Sequence, residues 1–191
     1  MIEASPAQQL TQIVLRALAQ GKAVEIDGLG TFHPDPLAGV RFEAASLPQV
    51  FIAYVKEDQA PAERLCETVE AAGFSPWMDV RKLLPGQNWP RALDAAIENS
   101  DFFIACFSSR SVNKRGGFQS EIRYALDCAR RIPLDEIFMV PIRLDDCRLP
   151  WPIQRELQYI DFFPDWHRGA CQLSAMMRRE VERRKRLAGK C

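Results

Sequence analysis

Phe102-Phe103-Ile104-Ala105-Cys106-Phe107 is a run of six apolar residues with no polar residue at alternate positions. A strand with one wet face alternates apolar and polar side chains, whereas an unbroken run suits a strand covered on both faces. Working outward, similar runs recur at Val50-Phe51-Ile52-Ala53-Tyr54 and Ile137-Phe138-Met139-Val140-Pro141-Ile142. A proline-bearing strand is expected at Phe74–Met78 and a short one at Tyr159–Phe163. Between these runs the spacing becomes helical: Ala62, Leu65, Val69 and Ala72, then Trp89, Leu93, Ala96 and Ile97, then Phe118, Ile122, Ala125, Leu126 and Ala129. Gly73 stands where the first of these helices should stop. Strictly alternating strands and helices predict an α/β fold: a five-stranded parallel sheet with helices on both faces. The ladder Leu173, Met177, Val181, Ala188 predicts a terminal helix docked on the core.

Upstream of residue 49 the pattern differs. Ser5 and Pro6 suit an N-cap and first helical position, Leu10, Ile13, Val14, Ala17 and Leu18 follow at helical spacing, and Gly21 suits a stop. Short strands at 23–27, 28–32 and 40–42 then follow, broken by glycines and Pro34-Asp35-Pro36. Residues 1–46 therefore read as a small helix-plus-β appendage preceding a domain at 49–191.

Composition narrows the function classes. The chain has 191 residues, 47% hydrophobic and 26% charged, which excludes wholesale disorder. Its 25 basic residues balance 25 acidic ones, so no bulk charge drives binding to nucleic acid or anionic membrane. No apolar run approaches the ~20 residues of a membrane span. The start, Met1-Ile2-Glu3-Ala4-Ser5-Pro6, lacks the basic and apolar regions of a signal peptide. A cytoplasmic location is expected, with Cys66, Cys106, Cys128, Cys147, Cys171 and Cys191 as reduced thiols. Without a C-x-x-C pair and with two histidines in the chain, no metal site is expected. Residues 1–46 carry three basic against five acidic side chains, and residues 167–191 carry eight basic against two acidic. The basic tail reads as the solvated face of a docked helix.

In such a sheet, ligands bind beyond the carboxyl ends of the strands. The loop Asp79–Asn88 there holds Leu83, Leu84 and the turn Pro85-Gly86, which either tuck onto their own core or form a docking surface. Glu121 falls on the border of the apolar stripe of its helix, near that helix's start. Partial desolvation favours its neutral form and the helix N-terminus its charged form, and helical spacing alone reads it as an ordinary early-helix glutamate. Other chemistries fail: Ser108, Ser109 and Ser111 have no histidine nearby in the pattern, and neither a dinucleotide fingerprint nor a P-loop is present. A phospho-receiver needs an aspartate after the third strand, where Phe107-Ser108 stands.

Residues 49–163 resemble a TIR domain of the stand-alone bacterial type. The resemblance rests on Val50–Tyr54 as a first box, and on Gly73-Phe74-Ser75-Pro76-Trp77-Met78-Asp79 leading into Leu84-Pro85-Gly86 as a second. Ser100-Asp101, Ser108 and Ser120-Glu121-Ile122 also fit. It implies a flavodoxin-like five-stranded parallel sheet. It also implies an NAD+ glycohydrolase or ADP-ribosyl cyclase acting in antiphage immunity, with Glu121 as the catalytic carboxylate. Tyr54, Lys56, Leu84, Trp89, Ser108 and Phe118 are the candidate substrate contacts, the aromatic ones being equally readable as core. NAD+ is substrate rather than cofactor. The loop Leu83 to Gly86 is expected to complete the site of a neighbouring copy, so the expected partner is a second copy of the chain. Two departures stand out. Gly117 occupies the place where catalytic relatives often carry an aromatic residue, and the basic residue after the first-box tyrosine is represented by Val55-Lys56.

Residues 21–32 and 40–45 resemble the strand–turn–strand core of the HU/IHF family. The connection between strands is only His33 to Gly39, without a basic arm, so protein contact is the expected use rather than DNA binding. A non-catalytic TIR adaptor and a DNA-associated HU-like protein are the rival readings.

Overall fold

The apolar run at 102–107 forms β6 (Phe102–Phe107), every residue of which is buried. It lies at the centre of a five-stranded sheet in the computed structural model, which describes residues 6–26, 30–44, 46–78 and 88–188. The chain divides into two compact units, Met1–Leu47 and Pro48–Cys191.

In the first unit α1 (Pro6–Ala19) precedes an antiparallel sheet of β1 (Val24–Ile26), β2 (Gly30–Asp35) and β3 (Gly39–Ala44). Val14 and Leu18 on α1 are buried, and Gly21 ends it at φ 73°. The β2–β3 connection is a tight turn: Asp35 Oδ1 accepts from the Leu37 N–H at 2.8 Å and the Ala38 N–H at 2.9 Å. Those two N–H donors hold the Asp35 carboxyl below its ordinary range. Ser5, Gly28 and Leu29, used in the sequence reading, lie outside the described residues.

In the second unit β4 (Gln49–Ala53) is followed by a 3-10 turn (Lys56–Asp58), α2 (Gln59–Ala71) and β5 (Ser75–Trp77). Next come α3 (Trp89–Glu98), β6, α4 (Gly117–Ala129), β7 (Met139–Arg143), α5 (Trp151–Glu156), β8 (Ile160–Asp161) and α6 (Trp166–Ala188). The strand order is β5-β4-β6-β7-β8, all parallel. Alternate side chains divide the core. Val50 and Ile52 face α2 and α6 through Leu65, Val69, Leu173 and Met177, whereas Phe51 and Ala53 face α3 and α4 through Ile97, Phe118 and Ile122. Phe51 stacks between Trp77 (4.8 Å) and Phe103 (5.3 Å). Burying each such ring contributes about 2–3 kcal/mol. The helix α5 was not foreseen: Trp151-Pro152 opens it, and six residues are too short to show a 3.6-residue period.

Helix α6 docks as its ladder predicts, with Leu173 and Met177 fully buried and Val181 packed beside them. Its basic half anchors at the amino ends of β6 and β7. Glu180 is 4% exposed and accepts from Arg183 Nη2 at 2.8 Å, Arg184 Nε at 3.1 Å and the Ile137 N–H at 3.2 Å. Arg184 also donates to the carbonyls of Ile137 (2.7 Å) and Asp101 (3.3 Å) and lies over the Phe102 ring. Gly169 lets α6 approach β8, since a Cβ there would meet the Asp161 carbonyl oxygen at 2.6 Å. No described helix is long and apolar enough to cross a membrane.

Candidate active site

Because β4 has β5 on one side and β6 on the other, the loops leaving β4 and β6 diverge at the carboxyl edge of the sheet. That divergence is where folds of this kind hold ligands. The chain enters α4 through Gly116, at φ 127°, a backbone conformation that favours glycine. Glu121 follows one turn into α4 and is half-buried. It shares a cleft of about 330 Å³ between α3 and α4 with Trp89, Leu93, Ile97, Gly117 and Tyr124. Gly117 keeps this cleft open beside the carboxylate: a Cβ built there would lie 3.7 Å from Glu121 Oε1.

Trp89 opens α3, and Asn88 caps that helix by accepting from the Arg91 N–H at 3.2 Å. The indole is 54% exposed, so its face is available to a flat ligand. Across the cleft the Tyr124 hydroxyl donates to Glu98 Oε1 at 2.6 Å. This bond, with burial adding to it, pushes the phenol up to about 12. Tyr124 therefore stays protonated at neutral pH and ties α4 to α3.

The other sequence candidates are placed differently. Phe118 is buried and packs edge-on against Phe107 at 5.6 Å, inside the core rather than in the cleft. Tyr54 packs with the opposite face of the sheet from Glu121. Lys56 is exposed in the turn after β4. Ser108 is buried, and its hydroxyl donates to Asp58 Oδ2 at 2.5 Å. Leu83, Leu84, Pro85 and Gly86 lie outside the described residues.

Asp58 was missed. An aspartate just before a helix reads as an N-cap, and Asp58 occupies that position of α2 without making the capping bond. It turns inward instead, 0% exposed, and Arg110 Nη2 lies 2.9 Å from its Oδ1. That contact is an ion pair without hydrogen-bond alignment. The β6–α4 loop is held again where Lys114 Nζ donates to Glu57 Oε1 at 2.6 Å, which lowers the Glu57 carboxyl. Among the described residues no three His, Cys, Asp or Glu side chains group as a metal site. Cys66, Cys106, Cys128 and Cys147 are buried free thiols, and burial pushes Cys106 up.

The sequence profile of the TIR domain matches residues 50–174. The chain belongs to the TIR domain family. The TIR domain of the Toll-related receptor TRR-2 from Hydra magnipapillata matches with a TM-score of 0.55 at 22% identity, over 67% of this chain and 94% of that one. A metazoan TIR-STING receptor from C. gigas matches with a TM-score of 0.52 at 24% identity, over 63% of this chain and 36% of the receptor. These likenesses establish the fold. The uncharacterized protein y4cD of Sinorhizobium fredii (strain NBRC 101917 / NGR234) is 24% identical over 120 residues, 62% of this chain; the match spans 18% of that relative's length. The TIR match takes in the parallel sheet from Val50 on, Glu121 and the first turns of α6, and leaves residues 1–49 outside it.

Proposed function

We propose that this TIR chain cleaves NAD+ at the nicotinamide–ribose bond, as a glycohydrolase or ADP-ribosyl cyclase serving antiphage immunity. The observation that carries the reading is the shared cleft: a half-buried carboxylate, Glu121, beside an open indole, Trp89. Nicotinamide leaves as a neutral base because it is cationic in the substrate, so no general acid is required. The C–N bond electrons go to the pyridine nitrogen, and positive charge develops on the ribose as in other glycosyl transfers. Glu121 orients the ribose hydroxyls and stabilises that charge, and Trp89 stacks on a base. Water captures the ribosyl cation to give ADP-ribose and a proton, or an adenine nitrogen captures it to give the cyclic product.

Leu83 to Gly86 of a second copy complete the site, so specific activity rises with protein concentration. Residues 1–46 make protein contacts rather than bind duplex DNA, in keeping with their acidic balance and the tight turn at Asp35. Incubating the purified chain with NAD+ over a dilution series and resolving products by chromatography tests the reading. Release of nicotinamide, lost in Glu121→Gln, supports it. An intact NAD+ pool at every concentration, or a Glu121→Ala variant as active as the parent, refutes it.

A further inference from the structure

Asp58 and Arg110 join the two loops that diverge at the carboxyl edge, one from β4 and one from β6. A fully buried carboxylate is costly unless paired, so Asp58 needs a cation. Arg110 supplies it in a lopsided way. Nη2 reaches Asp58, yet the side chain stays 57% exposed. Its backbone is fixed too, the Arg110 N–H donating to Ser108 Oγ at 3.1 Å, while Ser108 itself is bonded to Asp58. A guanidinium held by charge at one nitrogen and otherwise in water keeps its remaining donors available to a planar or tetrahedral oxyanion.

Charge favours the same kind of ligand. Residues 55–58 and 108–116 carry Lys56, Arg110, Lys114 and Arg115 against Glu57 and Asp58, an excess of cations in a chain whose net charge is +0. One of the four, Lys114, is neutralised by Glu57. Lys56 and Arg115 are exposed in the segments that follow β4 and β6.

We propose that Arg110, held by the buried Asp58, is a phosphate contact at the carboxyl edge of the sheet and that its ligand carries a pyrophosphate or comparable phosphate group. The inference rests on the nucleotide reading above and assigns to Arg110 a binding role that Glu121 and Trp89 do not fill. Arg110 grips the phosphates and takes no part in bond breaking.

Calorimetric titration of the full chain with ADP-ribose, and in parallel with adenosine, which has no phosphate, tests it. Arg110→Ala should weaken ADP-ribose binding tenfold or more and leave adenosine within twofold. Arg110→Lys keeps a cation over Asp58, which guards against misfolding, and should weaken ADP-ribose several-fold because the fork is lost. ADP-ribose affinities within twofold of the parent in the folded variants, or an equal loss for adenosine, would overturn the assignment. A parent chain that binds ADP-ribose through Arg110 but leaves NAD+ intact sinks the glycohydrolase reading and supports this one. Turnover of NAD+ with no Arg110 effect on ADP-ribose does the reverse.

Discussion

At the amino edge of the sheet Glu180 is 4% exposed and accepts from Arg183, Arg184 and the Ile137 N–H, so both its oxygens are satisfied by donors of fixed direction. At the carboxyl edge Asp58 is 0% exposed, accepts from the Ser108 hydroxyl, and faces an arginine that is 57% exposed. The chemistry is the same, carboxylate against guanidinium, with different closure. Arg184 at the amino edge is sealed further by carbonyls and the Phe102 ring. The comparison teaches that closing every donor makes a lock, whereas leaving one side of the pair open makes a hand.

Four substitutions break or sharpen this contrast. The largest effect belongs to the carboxyl edge. Glu121→Gln should lower NAD+ turnover by about a hundred- to thousand-fold, roughly 3–4 kcal/mol in the barrier, the usual cost of one lost electrostatic contact in a transition state. The urea midpoint should barely move, because the residue is half-buried beside an open cleft.

Glu180→Gln should do the opposite. The hydrogen bond from Arg183, then that from Arg184, holds the Glu180 carboxyl down to about 2 against an ordinary 4.5. A folded-state pKa below the unfolded one stabilises the protein above pH 4.5, and the contribution is lost as pH falls toward 2. About 2 kcal/mol is expected, since both arginines remain partly in water. Denaturant titrations across that window should show a slope in the parent that flattens in the variant, with turnover per folded molecule unchanged.

Gly169→Ala tests the docking of α6. Its Cβ would press on the Asp161 carbonyl at 2.6 Å and on Phe162 at 2.9 Å, and backbone cannot yield as a flexible side chain does. A loss of about 1–3 kcal/mol is expected on thermal unfolding. Gly117→Ala should have the smallest effect. Its Cβ finds ordinary contact with Glu121 at 3.7 Å, so stability should hold or rise by up to about 1 kcal/mol, with turnover changed only modestly. A large loss of stability would mean that the cleft is tighter than the geometry shows.

The contrast also explains what the sequence made legible. The continuous apolar runs of β4, β6 and β7 and the 3.6-residue ladders set the sheet and its helices, because burial on both faces leaves a periodic trace. Glu121 was readable as a border position and became a site candidate through the resemblance to TIR domains. Asp58 was not readable: its partners Ser108 and Arg110 lie about fifty residues away, and only the strand order brings the two loops together. Trp89 and Phe118 looked alike in sequence, yet the first opens a helix beside the cleft and the second packs on Phe107. Periodicity places a residue on a stripe and cannot tell which end of the stripe is wet.

The β5 rim of the sheet carries a further feature. On β5 the Ser75 N–H bonds to the Pro48 carbonyl on the inner side, so the next residue, Pro76, points its backbone away from the sheet. This rim thus meets the outside with a residue that has no N–H. A passing strand from another molecule finds an acceptor there without the matching donor, which disfavours strand addition at this edge. Pro76→Val would restore the donor, and concentrated solutions of that variant should scatter more light over time than the parent while unfolding at the same temperature. One missing N–H on the β5 rim thus works against growth of the sheet into a fibre.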